Sequence, residues 1–186
     1  MAIKPVPIEK AYRLLNHGPT TMISAKHNGI ENVMSAAWVC ALDYAPQAKL
    51  TIVVDKIAYT RQLIEKSGYF AIQIPVAKQA ELVMAMGQSR KDVPHKLDRL
   101  SLFYQDGFDL PLVRDCAAWL ICKLIPEPHN QQAHDLFIGE IMAAWADERI
   151  FADGHWRFDQ VPDELRTLHY VAGGQFYLIG KGINLA

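Results

Sequence analysis

The chain is a succession of short apolar runs separated by turn residues. Residues 20–26 predict a strand, and the Asn-Gly pair at 28–29 tolerates the positive φ angles of a tight hairpin. The returning strand is expected to continue from Asn32 to Leu42. The β-branched run 50–54 predicts a central strand, and 69–74 predicts a further one.

Three stretches place apolar groups at helical spacing instead. Residues 8–15 predict a short helix. A second helix is expected to begin near Tyr59 and to stop at Gly68, and residues 78–86 predict a third. The polar and charged stretch 88–99 has no clear period and is interpreted as a loop.

The second half of the chain is more plainly β. Residues 117–125 predict a strand, a polar turn is expected at 130–132, and His134 to Ala144 predicts the strand that completes a long hairpin. A turn is expected at 153–154, and the final stretch 168–177 is aromatic and glycine-rich. Many short strands with few short helices predict a barrel, and no linker divides residues 1–186, so we expect a single domain.

Composition narrows the class of protein. The 186 residues are 51% hydrophobic and 21% charged, which fits one compact domain, and the net charge of −1 does not suggest a nucleic-acid partner. No apolar run is long enough for a membrane span, and the N-terminus lacks the apolar core of a secretion signal. Three cysteines without paired metal spacing are interpreted as reduced, mostly buried thiols of a cytoplasmic protein, with no metal site.

An anion site is the first candidate for chemistry. The start of the helix near Tyr59 offers unpaired N–H groups and a partial positive charge. Thr60 adds a hydroxyl, and Lys56 and Arg61 add charge, so that a phosphate monoester would fit; Lys56 and Thr60 are both expected at the surface. The alternative is that Thr60 only caps the helix and that Lys56 is solvated.

Upstream, the small residues 35–37 leave the strand surface low enough for a flat ligand.

Four segments occur together in a characteristic order: 32–38, 56–60, 134–141 and 170–177. With that order, the chain from Gly18 to Tyr177 resembles the flavin reductase-like family of FMN-binding split barrels, which includes flavoredoxin. The resemblance implies a mainly β fold with short helices, namely a six-stranded antiparallel Greek-key split β-barrel. It also implies a homodimer with FMN near the subunit interface.

The resemblance also implies site residues. The segment expected along the flavin ring and ribityl chain comprises Asn32, Val33, Met34, Ser35, Ala36, Ala37 and Trp38. Lys56, Tyr59 and Thr60 are expected to hold the phosphate, with Ser89 and Lys96 from the 88–99 loop. That loop departs from the family pattern, because Arg90 replaces the usual glycine and His95 replaces the usual aspartate.

Two side chains keep alternative interpretations. His134 is a candidate catalytic group facing the nicotinamide or the ring, or else a strand histidine satisfied by hydrogen bonds. Trp38 is a cofactor contact or a core residue, with the core interpretation slightly favoured.

The resemblance leaves two functions open. The first is an NAD(P)H-dependent flavin oxidoreductase that passes hydride or electrons through bound FMN, with NADH or NADPH as co-substrate. The second is a flavoredoxin-like electron-transfer protein that a redox partner protein reduces. A ligand-free barrel acting as an interaction module is a third interpretation, from the residues alone.

Overall fold

The computed structural model describes residues 2–183 and residue 185. These residues include four α-helices: α1 (Ile8–Ala11), α2 (Tyr59–Ser67), α3 (Ala80–Met86) and α4 (Pro128–His134). The strands are β1 (Ile3–Pro5), β2 (Thr21–His27), β3 (Ile30–Ala36), β4 (Val39–Asp43), β5 (Lys49–Val53), β6 (Tyr69–Ile74), β7 (Leu102–Phe103), β8 (Leu112–Val113), β9 (Ala118–Ile125), β10 (Leu136–Asp147), β11 (Phe151–Ala152), β12 (His155–Trp156), β13 (Leu168–Ala172) and β14 (Gln175–Leu178). Short 3₁₀ turns lie at Tyr12–Leu14, Ala77–Gln79, Lys96–Arg99, Phe158–Gln160 and Asp163–Leu165.

One antiparallel sheet forms the body of the molecule. Seven of its strands follow the order β3-β2-β6-β9-β10-β5-β4, and β1 pairs with β10. The main sheet therefore has eight strands rather than the six expected, although the mainly β class with short helices is confirmed. Three two-stranded ribbons, β7-β8, β11-β12 and β13-β14, stand beside it.

The two ends of this sheet are joined by only two residues. β3 and β4 are the edge strands, yet only Ala37 and Trp38 separate them in the chain. Because consecutive Cα atoms are about 3.8 Å apart, these edges must lie close together, so the sheet curls into a barrel that is left open along one seam. The single strand expected from Asn32 to Leu42 is therefore wrong, since the chain leaves one edge at Ala36 and joins the other at Val39.

The strands nearest the middle of the sheet are buried on both faces. One apolar cluster fills the barrel and includes Ile23, Ile72 and Phe137. A second cluster lies on the outer face around Trp119, whose indole N–H donates to the carbonyl of Val113 at 2.8 Å. The outer cluster places the segment that carries β7 and β8 against the sheet, next to the 88–99 loop.

The 128–134 segment is helical, so the polar turn expected at 130–132 is wrong. Proline is favourable in the first turn of a helix, and Pro128 begins α4. The buried Gln131 side chain accepts a hydrogen bond from the backbone N–H of Glu127 at 3.0 Å, and Asp135 ends the helix with φ of 54°. His134 therefore lies exposed on a helical turn and not in a strand.

Other sequence predictions are confirmed. The 28–29 turn has positive φ at both residues, and α2 ends at Gly68 with φ of 73°. All three cysteines are free; Cys116 and Cys122 are buried as expected, whereas Cys40 is exposed. Among the described residues, none of the helices combines the length and the apolarity that crossing a membrane requires.

Gly139, in the middle of β10, lies against the Phe70 ring. A Cβ atom at this position would stand 2.5 Å from Phe70 Cζ. Because overpacking a core costs about 1–3 kcal/mol, we expect Gly139→Ala to lower the denaturant midpoint of unfolding. Gly180→Ala is the matched control, since no atom lies within 4 Å of its added Cβ. Equal midpoints for the two variants would contradict this packing.

Candidate functional site

Three connected clefts follow the open seam, and Ser35 lines all of them. We name them the cationic cleft, of about 610 Å³, the strip cleft, of about 430 Å³, and the side lobe, of about 270 Å³. β3 is an edge strand, so alternate backbone N–H and C=O groups on its outer side are not used by the sheet. The groove runs along this free edge of β3. Neighbouring residues that point to opposite faces of the strand, such as Met34 and Ser35, therefore both line it.

The cationic cleft lies between the start of α2 and the 88–99 loop. Its lining comprises Ile30, Asn32, Met34, Ser35, Ile57, Ala58, Tyr59, Thr60, Met86, Gly87, Gln88, Ser89, Arg90, Lys91 and Lys96. This lining contains three cations and no Asp or Glu. Together with the N-terminus of α2, which carries a partial positive charge, the cations make this end of the groove suitable for an anion.

Arg90 is held in place at the cleft wall. Its guanidinium lies over the Tyr59 ring, with Cζ 5.1 Å from the ring centroid, and donates to the carbonyl of Glu31 at 2.7 Å. These contacts use only part of its five N–H groups, so the remaining donors are available to a ligand. The family resemblance expects glycine here, and the structure explains the departure by a side chain that joins α2, β3 and the loop.

Lys96 is a buried cation, with only 3% of its surface exposed. Its ammonium donates to the carbonyls of Met86 at 3.0 Å and Gln88 at 2.8 Å. No carboxylate of the described residues forms an ion pair with it. Burial, and then the charge of Arg90, lower the pKa of Lys96 to about 8. The side chain thus fixes the turn at the end of α3 and keeps an uncompensated charge beside the cleft.

A hydrogen-bonded pair forms the floor of the same cleft. Asn32 Nδ2 donates to Thr60 Oγ1 at 2.8 Å, and both side chains are buried. Asn32 Oδ1 has no partner within the described part of the chain. Because a buried acceptor without a partner costs about 1–3 kcal/mol, this oxygen is suited to a ligand donor. The expectation that Thr60 lies at the surface is wrong.

Two of the cations predicted to hold the phosphate, Arg61 and Lys56, do not line the cationic cleft. Arg61 is 3% exposed and pairs with Asp135 at 2.5 Å and Glu65 at 3.0 Å. It also donates to two backbone carbonyls and so joins α2 to α4, which makes its predicted anion contact wrong. Lys56 is exposed in the loop before α2 and does not line the cleft, whereas Tyr59 and Thr60 do.

The strip cleft continues the groove along the small residues of β3. Its lining comprises Met34, Ser35, Ala36, Ala37, Trp38, Val53, Asp55, Asp135, Tyr170 and Val171. Trp38 is 74% exposed, so the core interpretation of this residue is wrong. Val33 is fully buried in the outer cluster and lines none of the three clefts.

Gly87, at the end of α3, lies in close contact with β3. A Cβ on Gly87 would lie 3.1 Å from Ser35 Oγ and 3.2 Å from the carbonyl of Met84. The side lobe opens beside this contact, and Tyr170 and Phe176 of the β13-β14 ribbon form its far wall. Sequence reasoning found the 170–177 segment as a motif but gave its aromatic residues no role.

His134 lies outside the groove. It is exposed at the end of α4 with its ring 5.7 Å from that of His129, and it lines none of the three clefts. Its neighbour Asp135 lines the strip cleft instead. The catalytic assignment of His134 stays a prediction without support from this placement.

Comparison with known proteins places the chain in a family. The model of the flavin reductase like domain matches residues 13–173. The chain belongs to the flavin reductase-like domain family. The match spans β2 to β13 and therefore includes the strands that border the cationic cleft and the strip cleft.

Individual relatives agree with this assignment. The crystal structure of an FMN-binding domain of a flavin reductase-like enzyme from Shewanella baltica OS155 is 54% identical, covers 100% of this chain and 98% of that chain, and superposes with a TM-score of 0.96. The uncharacterized protein YddH of Escherichia coli K12 is 38% identical over 184 residues, 96% of each chain. A putative flavin reductase with a split barrel domain from Shewanella frigidimarina, at 16% identity, TM-score 0.72 and coverage of 97% and 93%, shares the fold. The split-barrel fold is thus confirmed.

Proposed function

We propose that this chain binds FMN along the seam groove and acts as an NAD(P)H-dependent flavin oxidoreductase. One observation carries the proposal: the groove joins a cationic cleft without carboxylates to a strip of small residues at the free edge of β3. A phosphorylated planar cofactor needs both features in one continuous site. The family match and the FMN-binding Shewanella baltica relative support the choice of cofactor.

The residues fit the phosphate end of FMN. Arg90 and Lys91 supply charge at the mouth, and Lys96 supplies buried charge beside the turn at Gly87. Charge-assisted hydrogen bonds to phosphate are about twice as strong as neutral ones. The phosphate is therefore placed between this loop and the start of α2, with Ser89 and Thr60 as neutral neighbours.

The residues also fit the sugar alcohol chain. Asn32 uses its amide N–H₂ on Thr60, which leaves the Oδ1 atom as an acceptor. A phosphate oxygen cannot donate to this atom, whereas a ribityl hydroxyl can. From Asn32 to Ala37 the strand rises about 16 Å at about 3.3 Å per residue, which gives room for the ribityl chain and a tricyclic ring in sequence.

The ring is placed against Ser35, Ala36 and Ala37. Side chains of this size leave space over the strand, and the free backbone edge of β3 borders it with N–H and C=O groups that the sheet does not use. Such groups can donate to the carbonyl oxygens of the pyrimidine edge and accept from its N–H. Bound FMN supplies hydride and electron transfer, and the chain orients the ring and sets the polarity around it.

We also propose that two copies pack as a homodimer. On β4, β5 and β10, Cys40, Thr51 and Ile138 are neighbours in register, and in the single chain Cys40 is exposed while Thr51 and Ile138 are half-buried. Leu42 is 51% exposed and Met142 is 42% exposed on the same surface. A monomeric mass by sedimentation equilibrium would contradict this assembly.

Reduction by nicotinamide tests the enzymatic part. We expect FMN-loaded protein to bleach with NADH or NADPH in a stopped-flow experiment at more than about one per second, within the usual range of turnover numbers. Much slower bleaching with both nucleotides would contradict the reductase. It would favour the electron-transfer protein that a partner protein reduces.

A further inference from the structure

The side lobe is a separate cavity beside the position proposed for the flavin ring. It shares Ser35, Ala36, Ala37 and Tyr170 with the strip cleft, whereas Thr20, Val83, Met84 and Phe176 line the lobe and not the strip. Three elements build it: the edge of β3, the exposed flank of α3 and the β13-β14 ribbon. A ligand there would lie next to the flavin and not in place of it.

The lining of the lobe defines the chemistry of its ligand. None of its residues is ionisable except the Tyr170 phenol, so no fixed charge faces the space. The walls are apolar and aromatic: the ring centroids of Tyr170 and Phe176 are 5.3 Å apart, and Met84 contributes a thioether to the same lining. A charged ligand would lose its hydration there without a partner, which is costly. An uncharged ring compound would gain apolar and sulfur-aromatic contacts.

Polar groups are confined to the border of the lobe. The Ser35 hydroxyl and the Gln88 side-chain amide make no hydrogen bond within the described part of the chain, and both line the lobe. Thr20 is already engaged, because its Oγ1 accepts from the backbone N–H of Tyr170 at 2.8 Å. Two free donors at one side of an apolar space favour a ligand with a single acceptor such as a carbonyl oxygen.

Size limits the ligand further. A dry apolar cavity of about 150 Å³ takes up benzene. The lobe, with about 270 Å³, therefore has room for one or two fused rings and not for a dinucleotide.

We propose that the side lobe is the binding site for a second small molecule, a flat, uncharged ring compound that carries a carbonyl oxygen, held beside the flavin ring. This inference rests on the proposed function, because it takes FMN to be bound in the groove. It adds the chemical class of a second ligand. Ser35 and Gln88 donate to the carbonyl, and Met84, Tyr170 and Phe176 hold the ring system.

Coumarin and coumarin-3-carboxylate are probes with the same bicyclic ring system, and the second carries an additional negatively charged carboxylate. Equilibrium dialysis measures the binding of both to FMN-loaded and FMN-free protein. We expect coumarin to bind in both forms and the carboxylate to bind at least about tenfold more weakly, because no cation lines the lobe. Equal affinity for the two probes, or no coumarin binding, would overturn the proposal.

Two variants of Met84 locate the bound probe. Met84 is 39% exposed on α3, and Met, Leu and Glu are all good helix formers, so both substitutions keep the fold. Met84→Leu is expected to retain coumarin binding and Met84→Glu to lose it by about tenfold or more, with the Kd for FMN unchanged in both. Competition between coumarin and FMN, or a loss of FMN affinity in Met84→Glu, would assign the lobe to the flavin and overturn the proposal. Failure of the protein to bind FMN at all would instead contradict the proposed function, and coumarin binding to the FMN-free form would still be measurable.

Discussion

Arg90→Met is expected to weaken FMN binding by about 30-fold and to leave riboflavin binding within about twofold. A hydrogen bond to a charged group contributes about 1.5–3 kcal/mol, and about 1.4 kcal/mol corresponds to a tenfold change in affinity. Methionine retains the apolar contact with the Tyr59 ring while it removes the charge. Isothermal titration with FMN and with riboflavin, which lacks the phosphate, separates the phosphate contribution from that of the ring.

Lys56→Met is the matched control for Arg90→Met. Lys56 is exposed and does not line the cationic cleft, so this variant is expected to bind FMN as tightly as the unchanged protein does. A large loss of FMN affinity in Lys56→Met and none in Arg90→Met would restore the assignment made from the sequence. The phosphate would then have to lie outside the cleft.

FMN affinity is expected to fall as the pH rises above about 8, by up to about tenfold per pH unit, while riboflavin affinity stays flat. In the free protein the pKa of Lys96 is lowered to about 8, mainly by burial. A bound phosphate dianion favours the protonated lysine and therefore raises this pKa. Above pH 8 the free protein carries a neutral Lys96, so binding must take up a proton and becomes weaker. Fluorescence titrations between about pH 7 and pH 9.5 measure the effect.

Lys96→Met identifies the titrating group in that experiment. The variant is expected to bind FMN weakly at all pH values and to show no pH dependence in this range. It also leaves the carbonyls of Met86 and Gln88 without their donor, so its folding is checked first by circular dichroism. An unchanged pH dependence in Lys96→Met would show that another group binds the proton.

The local parts of the fold were predictable because short-range physics decides them. The 28–29 hairpin follows from residues that accept positive φ, and α2 follows from apolar spacing with Gly68 as its stop. The helix α4 was missed because Asn and Gln next to prolines are typical of turns. Pro128 in the first turn stabilises this helix, and so does Gln131, whose burial depends on the tertiary fold.

The seam was not predictable from the same patterns. β3 and β4 are continuous in strand character, and no residue at 37–38 marks the change from one sheet edge to the other. The groove exists because of this crossing, so its position depended on the family resemblance. Lys56 is closer to α2 in sequence than Arg90 and Lys96 are, yet the folded loop brings Arg90 and Lys96 to the cleft, whereas Lys56 does not line it.

The most direct test of the central claim is a crystal structure of the protein soaked with FMN. The groove is expected to hold the phosphate within hydrogen-bond distance of Arg90 or the start of α2, a ribityl hydroxyl on Asn32 Oδ1 and the ring along residues 35–37. Flavin bound away from the seam, or a seam closed by side chains of the protein, would contradict the proposed cofactor site.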